Sequence, residues 1–397
     1  MPGFELFGDL ERKEVKEVTD TGVLMRYGFE GMRNGHWKAS AMEAALCERM
    51  QVKHAQLVSS GTAALTIALA SAGVGAGDEV ILPTFTFVAS FESILALGAV
   101  PILVDIDDTL TLDPIAVERA IGDRTKVIMP VHMCGSMANL NALRALCETH
   151  GLLLVEDACQ AIGGSYAGKP LGSFGDLGCF SFDYVKTITC GEGGAVISNN
   201  QQYHLNADHY SDHGHDHVGN DRGAEGHPFL GYNYRISELN AAVGLAQLRR
   251  LDEFLELQKR NYTILRNALQ TIPGLKFRSV PEGGIENYSF LSFFLPTEEK
   301  AAQTQKELTK EGVDGCFYWY DNNWHYYRKW EHLTQLKTLG KVPIEVKEQL
   351  PDYSKADFSR SDHWLGRNIS CLIKLTWTRK ETIERSETMV RVIKKLL

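Results

Sequence analysis

Four places where an apolar run gives way to polar residues carry side chains whose chemistries complement one another. In GLLLVEDACQA, Asp157 stands at the carboxyl end of a predicted strand with a helix behind it. A carboxylate there can salt-bridge a protonated heterocyclic nitrogen, or it can cap the helix. In CFSFDYVKTITCGEGG, Ser181 lies on a strand and Lys186 just past its end, before a glycine-rich turn. That lysine can reach back over the same pocket, although a lone lysine after a strand is ordinarily solvated surface. In SSGTAALTIALA, Gly61, Thr62 and Ala63 open a helix whose first amides and positive dipole end suit an anion. In PTFTFVAS, Phe87 follows a strand, where its ring can stack on a flat heterocycle or pack in the core.

Taken together these side chains supply an amine to condense with an aldehyde, an acid for a ring nitrogen, an anion cradle and an aromatic cover. Pyridoxal phosphate requires that combination. Asp157 would keep the pyridine nitrogen protonated so that the ring can accept electrons. Lys186, once displaced by an incoming amine, could shuttle a proton as a general acid and base.

The elements that must position these groups follow from apolar patterning. Residues 55–200 alternate short apolar runs with helix-like segments, which predicts a mainly parallel α/β sheet. The predicted strands are HAQLVSS, EVILP, VPILVDI, KVIMPVH, LLLVED, LGCFSF and GAVISN, most of them too continuously apolar for a sheet covered on one face only. Crevices beyond the carboxyl ends of such strands are where ligands sit. From Ser237 to Leu269, apolar residues keep helical spacing, giving one long helix or two nearly collinear ones. Beyond Pro273, YSFLSFFLP and ISCLIKLTW read as strands of a smaller α+β unit. The expected division is a large domain over 1–250, including the N-terminal segment, and a small C-terminal domain over 251–397 joined by the long helix.

Composition narrows the function. The 397 residues are 44% hydrophobic and 23% charged, ordinary for a soluble enzyme with a sizeable core. A net charge of -9 without a basic patch argues against nucleic acid. The eight cysteines show no zinc-ligand or redox spacing, which fits free thiols in a reducing compartment. No stretch approaches the roughly 18 apolar residues of a membrane span, nor does the N-terminus read as a leader, so a cytoplasmic location is expected.

The chain resembles the DegT/StrS-type sugar aminotransferases, which belong to the fold-type-I pyridoxal-phosphate superfamily. The matching stretches are SSGTAAL, GAGDEVILPTFTFVAS, GAVPILVDID, VEDACQAIGGSYAGKPLGSFGDLGCFSF, GEGGAVISN and GYNYRISELNAAVGLAQL, in the family's order and spacing. The resemblance implies that Thr62, Ala63 and Ser181 hold the phosphate and Phe87 stacks on the ring. It implies that Asp157 pairs with the ring nitrogen, Gln160 lies near the ring hydroxyl and Lys186 forms the Schiff base. Asn233 resembles a residue that reaches the phosphate from a neighbouring subunit, implying a homodimer with shared sites. The implied reaction moves an amino group from L-glutamate to a keto or aldehydo sugar. A dehydratase of the same fold resembles this family with histidine replacing the lysine, and a non-catalytic regulator would not need the intact Asp157, Ser181 and Lys186 set.

Segments that vary within the family, MCGSMA, YSDHGHDHVGNDRGAE, DGCFYWYDNNWHYY and SCLIKLTW, resemble those members that aminate 8-oxo-3-deoxy-manno-octulosonate for lipopolysaccharide. The alternative acceptor is a 3- or 4-keto nucleotide sugar. Acid substrates would suit extra cations, for which Arg26, Arg33 and Lys374 are candidates, with surface or interface ion pairing as the other reading. His213 matches the family's His-Gly pair and is a candidate for substrate contact. His213, His215 and His217 form a histidine-rich run on a loop expected to be extended, and no metal is expected there. Tyr318 and His325, in an aromatic stretch with Trp319, Tyr320 and Trp324, are candidates for a sugar-binding wall, with domain packing the other reading.

Overall fold

The computed structural model describes residues 3–219, 223–335, 337–340 and 344–397. Two N-terminal helices, α1 (Asp9–Thr21) and α2 (Lys38–Met50), precede the central sheet. Its strands are β1 (His54–Val58), β2 (Glu79–Pro83), β3 (Val100–Val104), β4 (Thr125–Ile128) and β5 (Leu153–Asp157). After the short pair β6 (Ser165–Tyr166) and β7 (Lys169–Pro170) come β8 (Leu177–Ser181) and β9 (Gly194–Ser198). The seven-stranded order is β1-β9-β8-β5-β4-β2-β3. Every apolar run read as a strand in this region forms one, because each is buried on both faces.

β9 runs antiparallel to both β1 and β8, and the remaining neighbours pair in parallel. Two reversals across β9 restore the direction of β1, so β1, β8, β5, β4 and β2 all end at one edge of the sheet. The helices between strands are α3 (Gly61–Ser71), α4 (Val88–Ala96), α5 (Pro114–Ala120), α6 (Leu140–His150) and α7 (Gln201–Ser211). One apolar core joins α3 and α4 to Leu82, Val127, Val155 and Cys179 of the sheet. Another, on α2 and the later helix α8 (Glu238–Arg249), buries Leu57, Phe180 and Ile197. Successive residues of β1 (Leu57, Val58) and β8 (Cys179, Phe180) therefore face opposite layers, as period-two side chains must.

The expected long helix is two, α8 and α9 (Leu251–Leu269), meeting at Arg250, whose φ of -100° and ψ of 4° break the helical path. Beyond them lie β10 (Lys276–Phe277), β11 (Gly284–Ile285), β12 (Phe290–Phe294), α10 (Glu298–Lys310), β13 (Cys316–Phe317) and β14 (Asn368–Leu372). A second sheet, β10-β12-β14-β13, has its own core with α9, α10 and the last helix, Arg379–Leu396. β11 instead pairs with β6 of the N-terminal half.

The C-terminal residues are not confined to that unit. Tyr326, Trp330, Tyr353 and Leu365 are buried in the same core as α3 and α4. Tyr353 donates its hydroxyl to the Pro101 carbonyl at 2.6 Å, and the Thr84 hydroxyl donates to Ser361 Oγ at 2.8 Å. A boundary at residue 251 therefore cuts through packing that the aromatic segment makes with the large sheet. Among the described residues no helix is long and apolar enough to cross a membrane.

Candidate active site

The shared edge of β1, β5 and β8 opens into a cavity of about 360 Å³, within the range of about 300–1,000 Å³ usual for small-molecule sites. Asp157, the last residue of β5, pairs in register with Cys179 of the adjacent parallel β8. β8 ends at Ser181, and the turn after it brings Lys186 back to the same opening. The backbone of that turn is tied down: Lys186 N–H donates to the Asp183 carbonyl at 3.0 Å, and its own carbonyl accepts from Gly3 N–H at 2.9 Å. The Phe4 and Tyr184 rings stack at 4.2 Å beside it.

Asp157 is buried, and its carboxylate is oriented from two sides. Ser90 Oγ donates to Oδ2 at 2.7 Å and Cys159 N–H donates to Oδ1 at 3.1 Å. These two bonds hold the carboxylate in place at the edge of the cavity. Lys186 Nζ, in contrast, makes no ion pair with any carboxylate among the described residues, so its amine is available to the cavity.

The anion cradle is built by α3. Ser60 caps the helix, its Oγ accepting from Ala63 N–H at 3.0 Å. Gly61 and Thr62 provide the two preceding amides, which have no acceptor within the helix. A side chain at position 61 would intrude on this cradle: a Cβ built there lies 2.7 Å from Ser181 Cβ and 3.0 Å from Ser181 Oγ. Amides, a serine hydroxyl and a positive helix end, with an amine and a carboxylate in the same cavity, fit the donor set that pyridoxal phosphate demands.

Phe87 lines the cavity and is stacked by Trp324 at 5.6 Å with the planes 6° apart. Gln160 also lines it, its Oε1 accepting from Cys134 N–H at 2.9 Å, which leaves its amide hydrogens to donate. His325 joins them from the aromatic segment: Thr86 N–H donates to its carbonyl at 3.0 Å, which pins the segment to the chain after β2. Burial, reinforced by the positive Lys186, pushes His325 down to about 3, so the ring is neutral. Burial, and then the neighbouring Asp157, push the Cys159 thiol well above its ordinary value, so it stays protonated.

The cavity thus gathers Gly61, Thr62, Phe87, Asp157, Gln160, Ser181, Lys186 and His325 from the residues expected in the sequence. Others lie elsewhere. Ala63 does not line the cavity, and its amide is taken by the Ser60 cap. Arg26 is buried against Glu43 at 2.6 Å and Gln56 at 3.2 Å. Arg33, also buried, donates to the Gly28 and Met25 carbonyls and sits 3.5 Å from Glu238. Lys374 pairs with Asp314 at 2.6 Å, and Tyr318 donates to the Gly366 carbonyl at 3.0 Å. These four side chains serve internal partners and do not reach this opening.

Asn233 and His213 are exposed on a loop and do not line the cavity. His213 has a positive φ of 59° and His217 one of 53°, so the histidine run is a turn and not an extended strand. The rings of His215 and His217 lie side by side at 6.2 Å, and His215 pairs with Glu225 at 2.8 Å. Among the described residues no three His, Cys, Asp or Glu side chains are grouped to hold a metal ion. Residues 220–222 of the same variable segment lie outside the described residues.

Sequence reasoning missed Ser90, Cys159 and Ser60. Ser90 was legible in principle, since it stands one helical turn beyond Phe87 in PTFTFVAS, on the same side of a helix start.

Comparison with known proteins identifies the family. Residues 9–341 match the DegT/DnrJ/EryC1/StrS aminotransferase family. A GDP-perosamine synthase of Vibrio cholerae is 37% identical over 289 residues, covering 72% of this chain and 75% of that protein. The crystal structure of 3-amino-5-hydroxybenzoic acid (AHBA) synthase superposes with a TM-score of 0.82 at 28% identity, covering 98% of this chain and 97% of the other. The PLP form of Spr1654 from Streptococcus pneumoniae shares the fold, with a TM-score of 0.82 at 24% identity over 98% and 97% of the two chains. With an amine, an acid and an anion cradle converging on one cavity, this chain belongs to the DegT/DnrJ/EryC1/StrS family and is a pyridoxal-phosphate-dependent sugar aminotransferase.

Proposed function

We propose that the chain takes nitrogen from L-glutamate and installs it on the terminal aldehyde of 8-oxo-3-deoxy-manno-octulosonate. The observation that carries the aminotransferase chemistry is the placing of Lys186, Asp157 and the Gly61–Ser181 cradle in one cavity. The choice of acceptor is supported by the variable segments, including DNNWHYY, which supplies His325 and Trp324 to the cavity and its wall. Arg26, Arg33 and Lys374 are engaged with Glu43, Glu238 and Asp314. A carboxylate of the substrate would therefore be met by other donors. A second reading, a keto nucleotide sugar as acceptor, is favoured by the likeness to GDP-perosamine synthase.

In this reading the bound cofactor supplies a conjugated ring that takes up the electrons released when a C–H bond next to nitrogen breaks. The Asp157 carboxylate would hold the proton on the ring nitrogen. The Gly61 and Thr62 amides with Ser181 Oγ would hold the phosphate, with Phe87 available to cover the ring and Gln160 to donate to its hydroxyl. Lys186 Nζ would take the proton from the donor's α-carbon. In the second half-reaction the same nitrogen delivers a proton to the former carbonyl carbon of the sugar.

The proposal includes a homodimer with sites completed across the interface. Large apolar side chains are exposed in three stretches: Phe29 and Met32, Tyr184 and Val185 beside Lys186, and Phe229, Leu230 and Tyr232 next to Asn233. Exposed apolar surface of this kind is normally covered by a partner. Eight free cysteines suit a reducing, cytoplasmic setting.

The test is to load the enzyme with nitrogen from glutamate and offer aldehydo-octulosonate beside a 4-keto nucleotide sugar. Faster amination of the octulosonate supports the reading. Faster amination of the nucleotide sugar transfers the assignment to the second reading.

A further inference from the structure

His325 enters the cavity with its hydrogen-bonding sense already fixed. Its Nδ1 lies 2.8 Å from Asn322 Oδ1. The same oxygen accepts from the backbone N–H of Trp324 at 3.0 Å. A backbone N–H can only donate, so the atom it meets is the carbonyl oxygen of the Asn322 amide and not its NH2 group. An oxygen without hydrogens obliges Nδ1 to carry the imidazole proton. Nε2, across the ring, is left with a lone pair.

The segment is rigid around this arrangement. Asn322 O accepts from Tyr326 N–H at 3.3 Å, and Val88 N–H donates to the Trp324 carbonyl at 2.9 Å. The Trp319 ring packs at 4.6 Å and the Phe87 ring at 5.4 Å from that of His325. Among the described residues no carboxylate pairs with the ring, and burial beside Lys186 keeps it neutral.

We propose that Asn322 is a positioning residue which presents His325 as the Nδ1–H tautomer, and that Nε2 accepts a hydrogen bond from a hydroxyl of the acceptor sugar. A neutral lone pair attracts a hydroxyl and repels a carboxylate. Glutamate carries two carboxylates and no hydroxyl, whereas the sugar has hydroxyls along its chain. His325 thereby discriminates between the two half-reactions that share one cavity. This inference rests on the sugar-aminating reading above, but the tautomer itself does not depend on any substrate.

Long-range ¹H–¹⁵N spectra of histidine-labelled holoenzyme report the tautomer, with the His325 signals assigned by their loss in His325→Gln. The wild-type protein shows a protonated Nδ1 and a bare Nε2 at neutral pH; Asn322→Ala shows a mixture of tautomers. In single-turnover measurements His325→Phe slows transfer to the sugar about 30-fold more than transfer from glutamate. Asn322→Ala shows a gap of about tenfold. His325→Gln, whose amide oxygen can stand in for Nε2, recovers most of the loss. A protonated Nε2 or an imidazolium in the wild type would overturn the proposal, as would equal slowing of both half-reactions by His325→Phe. If the wild type aminates no sugar while the predicted tautomer is seen, the sugar-aminating reading falls and the Asn322–His325 assignment stands.

Discussion

Substituting Gly61 with alanine tests the anion cradle in isolation from the chemistry. The added Cβ would sit 2.7 Å from Ser181 Cβ, 3.0 Å from Ser181 Oγ and 3.3 Å from Cys159 Sγ. Carbon atoms in contact prefer about 3.5–4.0 Å, so roughly 1 Å must be recovered by moving Ser181. Overpacking of this order costs about 1–3 kcal/mol in stability. A displaced Ser181 hydroxyl also loses one hydrogen bond to an ionised phosphate, about 1.5–3 kcal/mol, which weakens cofactor binding about 10- to 150-fold. The assay is titration of apo-protein with pyridoxal phosphate, followed by absorbance, with thermal unfolding in parallel. Gly75→Ala is the control, because a Cβ there meets nothing within 4 Å. A Gly61→Ala dissociation constant within twofold of wild type would refute the cradle.

Ser90→Ala removes the hydroxyl that holds Asp157 Oδ2 at 2.7 Å; loss of a buried bond to a carboxylate is expected to lower stability by about 1.5–3 kcal/mol in denaturant unfolding, and an unchanged midpoint would show that another donor replaces it. Burial works to raise the Glu11 carboxyl, but bonds from Gly8 N–H, its own N–H, Gln247 and Arg250 outweigh it and hold the group below its ordinary value. A depressed carboxyl stabilises the fold above its unfolded pKa of about 4.3 and loses that contribution as pH falls through the folded value. Glu11→Gln should therefore flatten the acid limb of stability below about pH 4.5, and an unaltered limb would count against the role. Mixing inactive Lys186→Ala with inactive Asn233→Ala protein should restore activity if sites are shared, since some hybrid dimers then carry one intact site; no recovery after confirmed subunit exchange would contradict sharing.

The strands and the two chemical poles of the site were legible because local signals carried them. Continuous apolar runs marked β1 to β5, β8 and β9, and the residues ending β5 and β8 fell at one edge as parallel neighbours must. Pairings between distant segments were not legible. Arg26, Arg33 and Lys374 looked like free cations because nothing local shows that Glu43, Glu238 and Asp314 would meet them. The aromatic stretch offered two uses, wall or packing, and the structure divides it: Trp319 is buried against Phe85 and Phe290, while His325 lines the cavity. The break at Arg250 was left open by sequence because its neighbours keep helical spacing through it. His215 and His217 were misjudged because two positive-φ residues, His213 and His217, curl a run that alternation alone reads as extended.

The central claim is that the amine of Lys186 is the one that holds pyridoxal phosphate. Borohydride reduction of the holoenzyme, digestion and peptide mass spectrometry read this directly. The account predicts one pyridoxyl group, on the Lys186 side chain; a label on any other lysine, with Lys186 unmodified, would contradict it.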